Sequence, residues 1–332
     1  MSHSSLAVRL IQKLARQMKI KLDIEPTWNF VGQITLPDGR KRYFRNTNFD
    51  LNGQGACETA RDKDFAAYFM GKMGYPVVPS QAFLTKSWAV EMNSKDRGPK
   101  AALAFAQKIG FPVIVKPNSK SQGDGVHRAM NKQEFLLAVQ EIEKIDRVFL
   151  VQRLLQGHDY RIVVLDDEVI SAYERLPLSV EGDGESSIAE LLRKKQEAFN
   201  SIRRDTIIDQ DDPRITIELK RHKTTKHTVP AKGARLELLP NANLSTGGDA
   251  IDVTEEIHPE WCKWAVKLAR DMNLRYTGID VMTQGALAEP PRDFHILEIN
   301  AAPGLDNYAS MGVKQMKIVE DLYRKVLLAL MK

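Results

Sequence analysis

The chain has 332 residues, 43% apolar and 27% charged, the balance of a globular protein large enough for two or three subdomains. Its 48 basic and 43 acidic residues leave a net charge of +5, which suits a small polyanion and argues little for nucleic acid. No apolar run is long enough to span a bilayer and no signal-peptide pattern opens the chain. Cys57 and Cys262 form neither a disulfide framework nor a zinc site, so a reducing cytoplasm is the expected setting.

Residues 6–21 read as a basic amphipathic helix docked on the body of the protein, with Leu6, Leu10, Leu14 and Met18 on one face. Two strands are expected within 27–50 around the turn Pro37-Asp38-Gly39. Residues 62–73 read as a helix, 77–84 as a strand, 85–99 as a polar linker, and 100–109 as a helix capped by Gly110. A buried strand, Phe111-Pro-Val-Ile-Val-Lys116-Pro117, runs into a polar loop with Gly123 and Gly125. Next come a strand at 148–152, a hairpin turning at Asp166-Asp167, and a helix at 187–200. The charged stretch 201–233 reads as irregular. A helix from Pro259 to Met272 carries Trp261, Ala265, Leu268 and Met272 as its apolar stripe, and strands at 277–282 and 294–300 close the pattern. The whole reads as α+β with mixed sheets.

The last two strands hold the first chemical cue. Period-two alternation puts Glu298 and Asn300 on one face with Ile296 and Phe294 behind them, and His295, Leu297 and Ile299 on the other. Asp280 interrupts an otherwise apolar strand. Buried carboxylates need partners, and a hard cation such as magnesium supplies one; a set of polar residues exposed at strand ends accounts for them equally well. Lys116, delivered by a rigid strand and pinned by Pro117, is placed to meet a phosphate, and the glycine loop after it could close over one. Neither a GxxxxGK[ST] loop nor a strand-linked GxGxxG is present.

The ordered set FPVIVKP, glycine loop, FLVQRLLQGHDYRIVVLDDEV, GIDVM and FHILEINAAPG resembles the ATP-grasp superfamily. YERLPLSVEGDGESSIAELL, VPAKG and NANLSTGGDAIDVTEEIHP are similar, more narrowly, to the ATP-grasp domain of cyanophycin synthetases, and the likeness extends to glutathione-synthetase-like ligases. The resemblance covers about residues 60–310. It implies two mixed α/β subdomains gripping ATP between them, after an N-terminal region at 1–59. The ATP-grasp domain would span 60–332, divided into a smaller lid at 100–155 and a metal- and substrate-binding part at 156–332. It further implies that Lys63 and Lys116 bind phosphate, that the hinge Gln152, Arg153, Leu154 and Leu155 holds adenine, and that Asp159 binds the ribose. Arg161 would face the transferred phosphoryl group. Asp280, Glu298 and Asn300 would hold two magnesium ions, with manganese as a substitute, and Ser245, Thr246, Gly247 and Gly248 would cover the acceptor substrate. Gln152 departs from the family's usual glutamate, though its carbonyl can still accept from the adenine amino group. No counterpart of the second ligase domain of cyanophycin synthetases, or of their full N-terminal domain, is present in these residues.

The implied activity is ATP-dependent joining of a carboxylate to an amine through an acyl phosphate. The alternatives are phosphoryl transfer to a hydroxyl and a nucleotide-binding subunit without chemistry. The expected partners are small-molecule or peptide substrates and, as in many such ligases, a second copy of the chain; nucleic acid and membrane are not expected. His222 and His227 read as solvated loop residues. The basic residues Lys220, Arg221, Lys223, Lys226 and Lys232, without interleaved aromatics, read as a mobile segment folding over ATP or an anionic substrate.

Overall fold

A computed structural model describes residues 4–202 and 204–331; Met1–His3 and Lys332 of the terminal regions, and Arg203 of the charged stretch, lie outside the described residues. Helix α1 (Leu6–Gln17) starts where the Ser5 side chain accepts from Val8 N–H, and it buries Val8, Leu10, Ile11 and Leu14. It ends earlier than expected because Lys19 turns left-handed at φ 55° and the chain enters a strand. That strand, β1 (Lys21–Ile24), and β2 (Val31–Thr35), β3 (Lys41–Arg45) and β4 (Asn48–Phe49) form an antiparallel sheet in sequential order, with the expected turn between β2 and β3. Helices α2 (Gln54–Arg61) and α3 (Lys63–Lys72) follow, the second capped by the Asp62 carboxylate accepting from Phe65 N–H.

A small unit comes next. Strand β5 (Ser80–Leu84) precedes α4 (Lys86–Glu91), a helix where a linker was expected, and α5 (Pro99–Ile109), capped by Gly110 at φ 84°. Strands β6 (Val113–Pro117) and β7 (His127–Ala129), helix α6 (Lys132–Glu143) and strand β8 (Val148–Arg153) complete it. The sheet order is β5-β8-β6-β7, and Phe83, Phe135 and Phe149 fill the core shared with α5 and α6. The sheet therefore begins upstream of the 100–155 span, at Ser80.

The large sheet begins with the hairpin β9 (His158–Leu165) and β10 (Glu168–Leu176), turned at Asp166 with φ 50°. Strand β11 (Ser179–Glu181), helices α7 (Ile188–Ser201) and α8 (Pro213–Arg221), and strand β12 (Arg235–Glu237) build a separate layer around Leu178, Ile188, Leu192, Ile215 and Leu238. Helix α8 occupies the stretch expected to be irregular. Asp212 caps it and Pro213 fills its first turn, so local end signals outweigh the low apolar content. Strand β13 (Asp249–Asp252), helix α9 (Pro259–Asp271), strands β14 (Tyr276–Thr283) and β15 (Phe294–Asn300), and helices α10 (Asp306–Ala309) and α11 (Val313–Met331) finish the chain. The sheet order is β13-β10-β9-β14-β15. Among the described residues every strand ladder is antiparallel, where mixed sheets were expected; the parallel contact is an isolated bridge between Val77 and Ile296.

Alternation along these strands creates two unlike faces. Tyr160, Ile162, Val164, Ile279 and Val281 pack on Trp261 and Leu268 of α9. On the other face Val163, Leu165, Tyr173 and Tyr276 are covered by α1, α11 and Phe49 of the N-terminal sheet, so α1 is docked, as expected. Beyond that apolar half the same face carries Asp159, Arg161, Arg175 and Asp280. A β-bulge corrects the expected pattern in β15. Asp280 pairs with Glu298 but Val281 pairs with Ile296, which leaves Leu297 as the extra residue. Ile296 and Phe294 accordingly join the core under α9 rather than standing behind Glu298.

Candidate active site

Cross-strand pairing assembles the site. Tyr173, Arg161, Asp280 and Glu298 occupy one row across β10, β9, β14 and β15, and Arg175 lies opposite Asp159 one step along. Asp280 is 1% exposed, and its charge is met on both oxygens. Arg161 binds it in a fork, Nε to Oδ1 and Nη2 to Oδ2, each at 2.6 Å, and Arg175 Nη1 reaches Oδ2 at 2.9 Å. Arg175 also donates to Asp159 Oδ1 from Nη2 at 2.7 Å and from Nε at 3.0 Å, so one guanidinium joins both acids. Glu298 stands 3.8 Å from Lys63 Nζ and 3.8 Å from Arg161 Nη2, and its Oε1 accepts from the Asn300 side chain at 3.1 Å.

Lys63, Asp159, Arg175, Asp280 and Glu298 of this group border a cleft of about 660 Å³ between the large sheet and the small unit. The small unit contributes Lys116 and the loop after it, and Gln152 to Leu155 form a further wall. Lys63, at the start of α3, donates to Lys120 O at 2.5 Å and so ties the glycine loop to the cleft floor. Gly157 can turn at φ 133° with Thr283 O only 2.3 Å from where a Cβ would stand. Burial pulls Lys116 down to about 8; Lys63 adds to that fall and Glu298 opposes it. Burial alone would lift Glu298, but Lys63, Lys116, Arg161 and Arg175 hold its carboxylate well below the usual range. Burial raises Asp159 to about 6 against the pull of Arg175.

Of the expected site residues, Lys63, Lys116, Gln152, Arg153, Leu154, Leu155, Asp159, Asp280 and Glu298 meet at the cleft. Arg161 and Asn300 do not line it: Arg161 braces Asp280 from behind, and Asn300 braces Glu298. Ser245 to Gly248 are also displaced from the wall, which is formed instead by Pro240 to Asn243. Gly247 (φ 99°) and Gly248 serve packing, since a Cβ on Gly248 would meet Leu176 O at 2.5 Å, while the buried Arg204 guanidinium holds Gly248 O at 2.6 Å. Nor does the basic run fold over the cleft. Arg221 turns to Glu218 and Glu134, Lys226 pairs with Asp211 at 3.2 Å, and none of Lys220, Arg221, Lys223, Lys226 or Lys232 lines the cavity. Sequence reasoning missed Arg175 and Leu297, both in the cleft wall. A cation alternating with Tyr173 on a buried strand was the available signal for the first.

The donor set fits a hard cation. Two carboxylates and an amide oxygen share one sheet face, and Asp280, with three of about four acceptor positions used, has one to spare. Among the described residues no cluster of three or more His, Cys, Asp or Glu side chains is arranged around a metal position, so the Asn300 amide would be the third donor. No helix of the described residues is long and apolar enough to cross a membrane.

Residues 69–183 match the family described as the D-Ala–D-Ala ligase C-terminus. A bifunctional glutathione synthetase from Pasteurella multocida superposes over 98% of this chain and 45% of its own, with a TM-score of 0.61 at 22% identity. The chain has the ATP-grasp fold. Among curated proteins, this ATP-grasp chain is 34% identical to the cyanophycin synthetase of Trichormus variabilis over 59% of its own length and 22% of the relative's. It is 29% identical to a glutathione biosynthesis bifunctional protein of Desulfotalea psychrophila over 67% of its length and 30% of the relative's. The chain thus spans under a third of the curated relatives it matches.

Proposed function

We propose that the chain is an ATP-dependent ligase that joins a carboxylate to an amine as an amide, through an acyl phosphate, with ADP and phosphate as the other products. The observation that carries this reading is the convergence of Lys63, Lys116, Asp280 and Glu298 on one cleft that Gln152 to Leu155 also line. The D-Ala–D-Ala ligase family match and the similarity to cyanophycin synthetase support it.

In this reading Lys116 and Lys63 offset phosphate charge, and Gln152 to Leu155 hold the base. Asp280, Glu298 and Asn300 would hold magnesium, two ions with manganese as a substitute. Bound there, magnesium offsets the charge on phosphate oxygens. Arg161 and Arg175 fix the direction of the Asp280 carboxylate, so the protein works by positioning and charge balance and supplies no covalent nucleophile. Asp159, one oxygen held by Arg175, keeps the other for a ribose hydroxyl. A homodimeric state and a cytoplasmic setting belong to the same reading.

The test is ADP release from MgATP against a matrix of amino acids and short peptides, with Glu298→Ala alongside and product masses recorded. Release that needs two substrates, yields an amide and falls at least about a hundredfold in the variant is the expected result. A phosphorylated product without an amide would transfer the reading to phosphotransferase chemistry. ATP binding without turnover across the matrix would refute catalysis of this class.

A further inference from the structure

The loop between β6 and β7 is held from outside the cleft. Lys120, Ser121, Gln122 and Gly123 line the cavity, and among the described residues their N–H groups donate to no protein acceptor. The carbonyls of the same stretch are all engaged. Lys120 O accepts from Lys63 Nζ at 2.5 Å and Ser121 O from Asp124 N–H at 3.2 Å. Gln122 O accepts from Ser245 Oγ at 3.2 Å, and Gly123 O from Arg214 Nη1 at 2.7 Å. A trans peptide unit points its C=O and N–H in opposite directions, so each held carbonyl fixes the aim of the N–H that follows it. Gln122 is left-handed at φ 60° without being glycine, a conformation that persists where neighbours hold it.

Arg214 is itself locked in place. Asp212 takes its Nε at 3.0 Å on Oδ1 and its Nη2 at 2.6 Å on Oδ2. That leaves Nη1 for Gly123 O and, at 3.4 Å each, for Val126 O and for Asn241 Oδ1 of the cleft wall. Neither Arg214 nor Ser245 lines the cavity, so both act on its contents through the loop. Resting on the nucleotide site of the reading above, we infer that Arg214, with Ser245 as a second anchor, is a positioning residue for nucleotide binding. It holds the loop so that the free N–H groups of Ser121, Gln122 and Gly123 meet the terminal phosphates. The layer that carries α8 thereby sets phosphate affinity without touching the nucleotide.

Calorimetric titration with AMP, MgADP and the magnesium complex of a non-hydrolysable ATP analogue tests this without requiring turnover. Wild type should bind more tightly as phosphates are added. Arg214→Gln should weaken ADP and the analogue about tenfold or more and leave AMP within about twofold, so that the gradient flattens. Arg214→Lys, which still offers a donor, should restore part of the gradient, and Ser245→Ala should flatten it to a smaller degree. An equal loss for all three nucleotides, or a full gradient in Arg214→Gln, would overturn the assignment. If Arg214→Gln does not fold, Ser245→Ala decides alone: a flattened gradient supports the assignment and an intact one overturns it. Wild type that binds none of the three would sink the nucleotide reading and this inference together. A gradient that flattens as expected, with no ADP release from MgATP across the substrate matrix, would sink the ligase reading alone.

Discussion

Glu218 offers the sharpest test of how the cleft is held. It lies on α8 at 3% exposure, between Arg128 of β7 and Arg221, and Arg221 also reaches Glu134 of α6 and Arg128 O at 2.9 Å. Beside it Arg214 donates to Gly123 O at 2.7 Å. The layer around α8 is thereby clasped to the small unit that carries Lys116. Replacing Glu218 by Gln keeps the shape and removes the charge, leaving two guanidinium groups facing a neutral amide. Breaking a fully buried pair costs about 3–5 kcal/mol. Arg128 and Arg221 keep 29% and 20% side-chain exposure, so solvent recovers part of that and about 2–3 kcal/mol is expected. If nucleotide binding requires the clasped form, affinity falls by about 30- to 150-fold. Titration with a fluorescent ATP analogue reads this directly, and a cycle with Arg128→Gln measures the coupling. Unchanged affinity in a variant whose melting temperature has dropped would show that the clasp stabilises the protein without governing the cleft.

Other expectations follow from the same geometry. Raising pH through about 8 should weaken ADP binding, because the buried Lys116 ammonium discharges; Lys116→Arg should flatten that profile in equilibrium titrations. The sign for stability is the opposite: between about 8 and the ordinary lysine range the unfolded chain holds the extra proton, so the Lys116 contribution to unfolding free energy rises with pH, as denaturant melts would show. Trp261→Ala empties a fully buried site under the large sheet and should cost about 3–5 kcal/mol by denaturant unfolding, while a loss below about 1 kcal/mol would contradict the packing described. Gly248→Ala should destabilise the fold, since its Cβ would strike Leu176 O and the Asn243 backbone; an unchanged melting temperature would count against that close approach.

Much of the frame could be read before any coordinates because its signals are local. The Trp261, Ala265, Leu268 stripe, the Asp166 turn and the Gly110 cap each depend on a few neighbouring residues and hold in the structure. Helix α8 was missed because its buried face is short, just Ile215, Glu218 and Leu219, and one of these is an acid paired with Arg221 of the same helix and with Arg128 of another unit. The site was legible where a motif residue itself reaches the cleft, as with Lys63, Lys116 and Glu298. It was not legible where role depends on side-chain direction: Arg161 lies behind Asp280 and Arg175 in front, a distinction set by cross-strand neighbours far apart in sequence.

The extra residue at Leu297 divides β15 into two segments with separate surroundings. Upstream, Phe294 and Ile296 answer to the packing of α9; downstream, Glu298 and Asn300 answer to the cleft. Substitutions in either segment leave the other's facing intact, but loss or gain of a single residue between them turns one segment over relative to the other. Variation within this strand should therefore proceed by exchange of side chains and not by change of length.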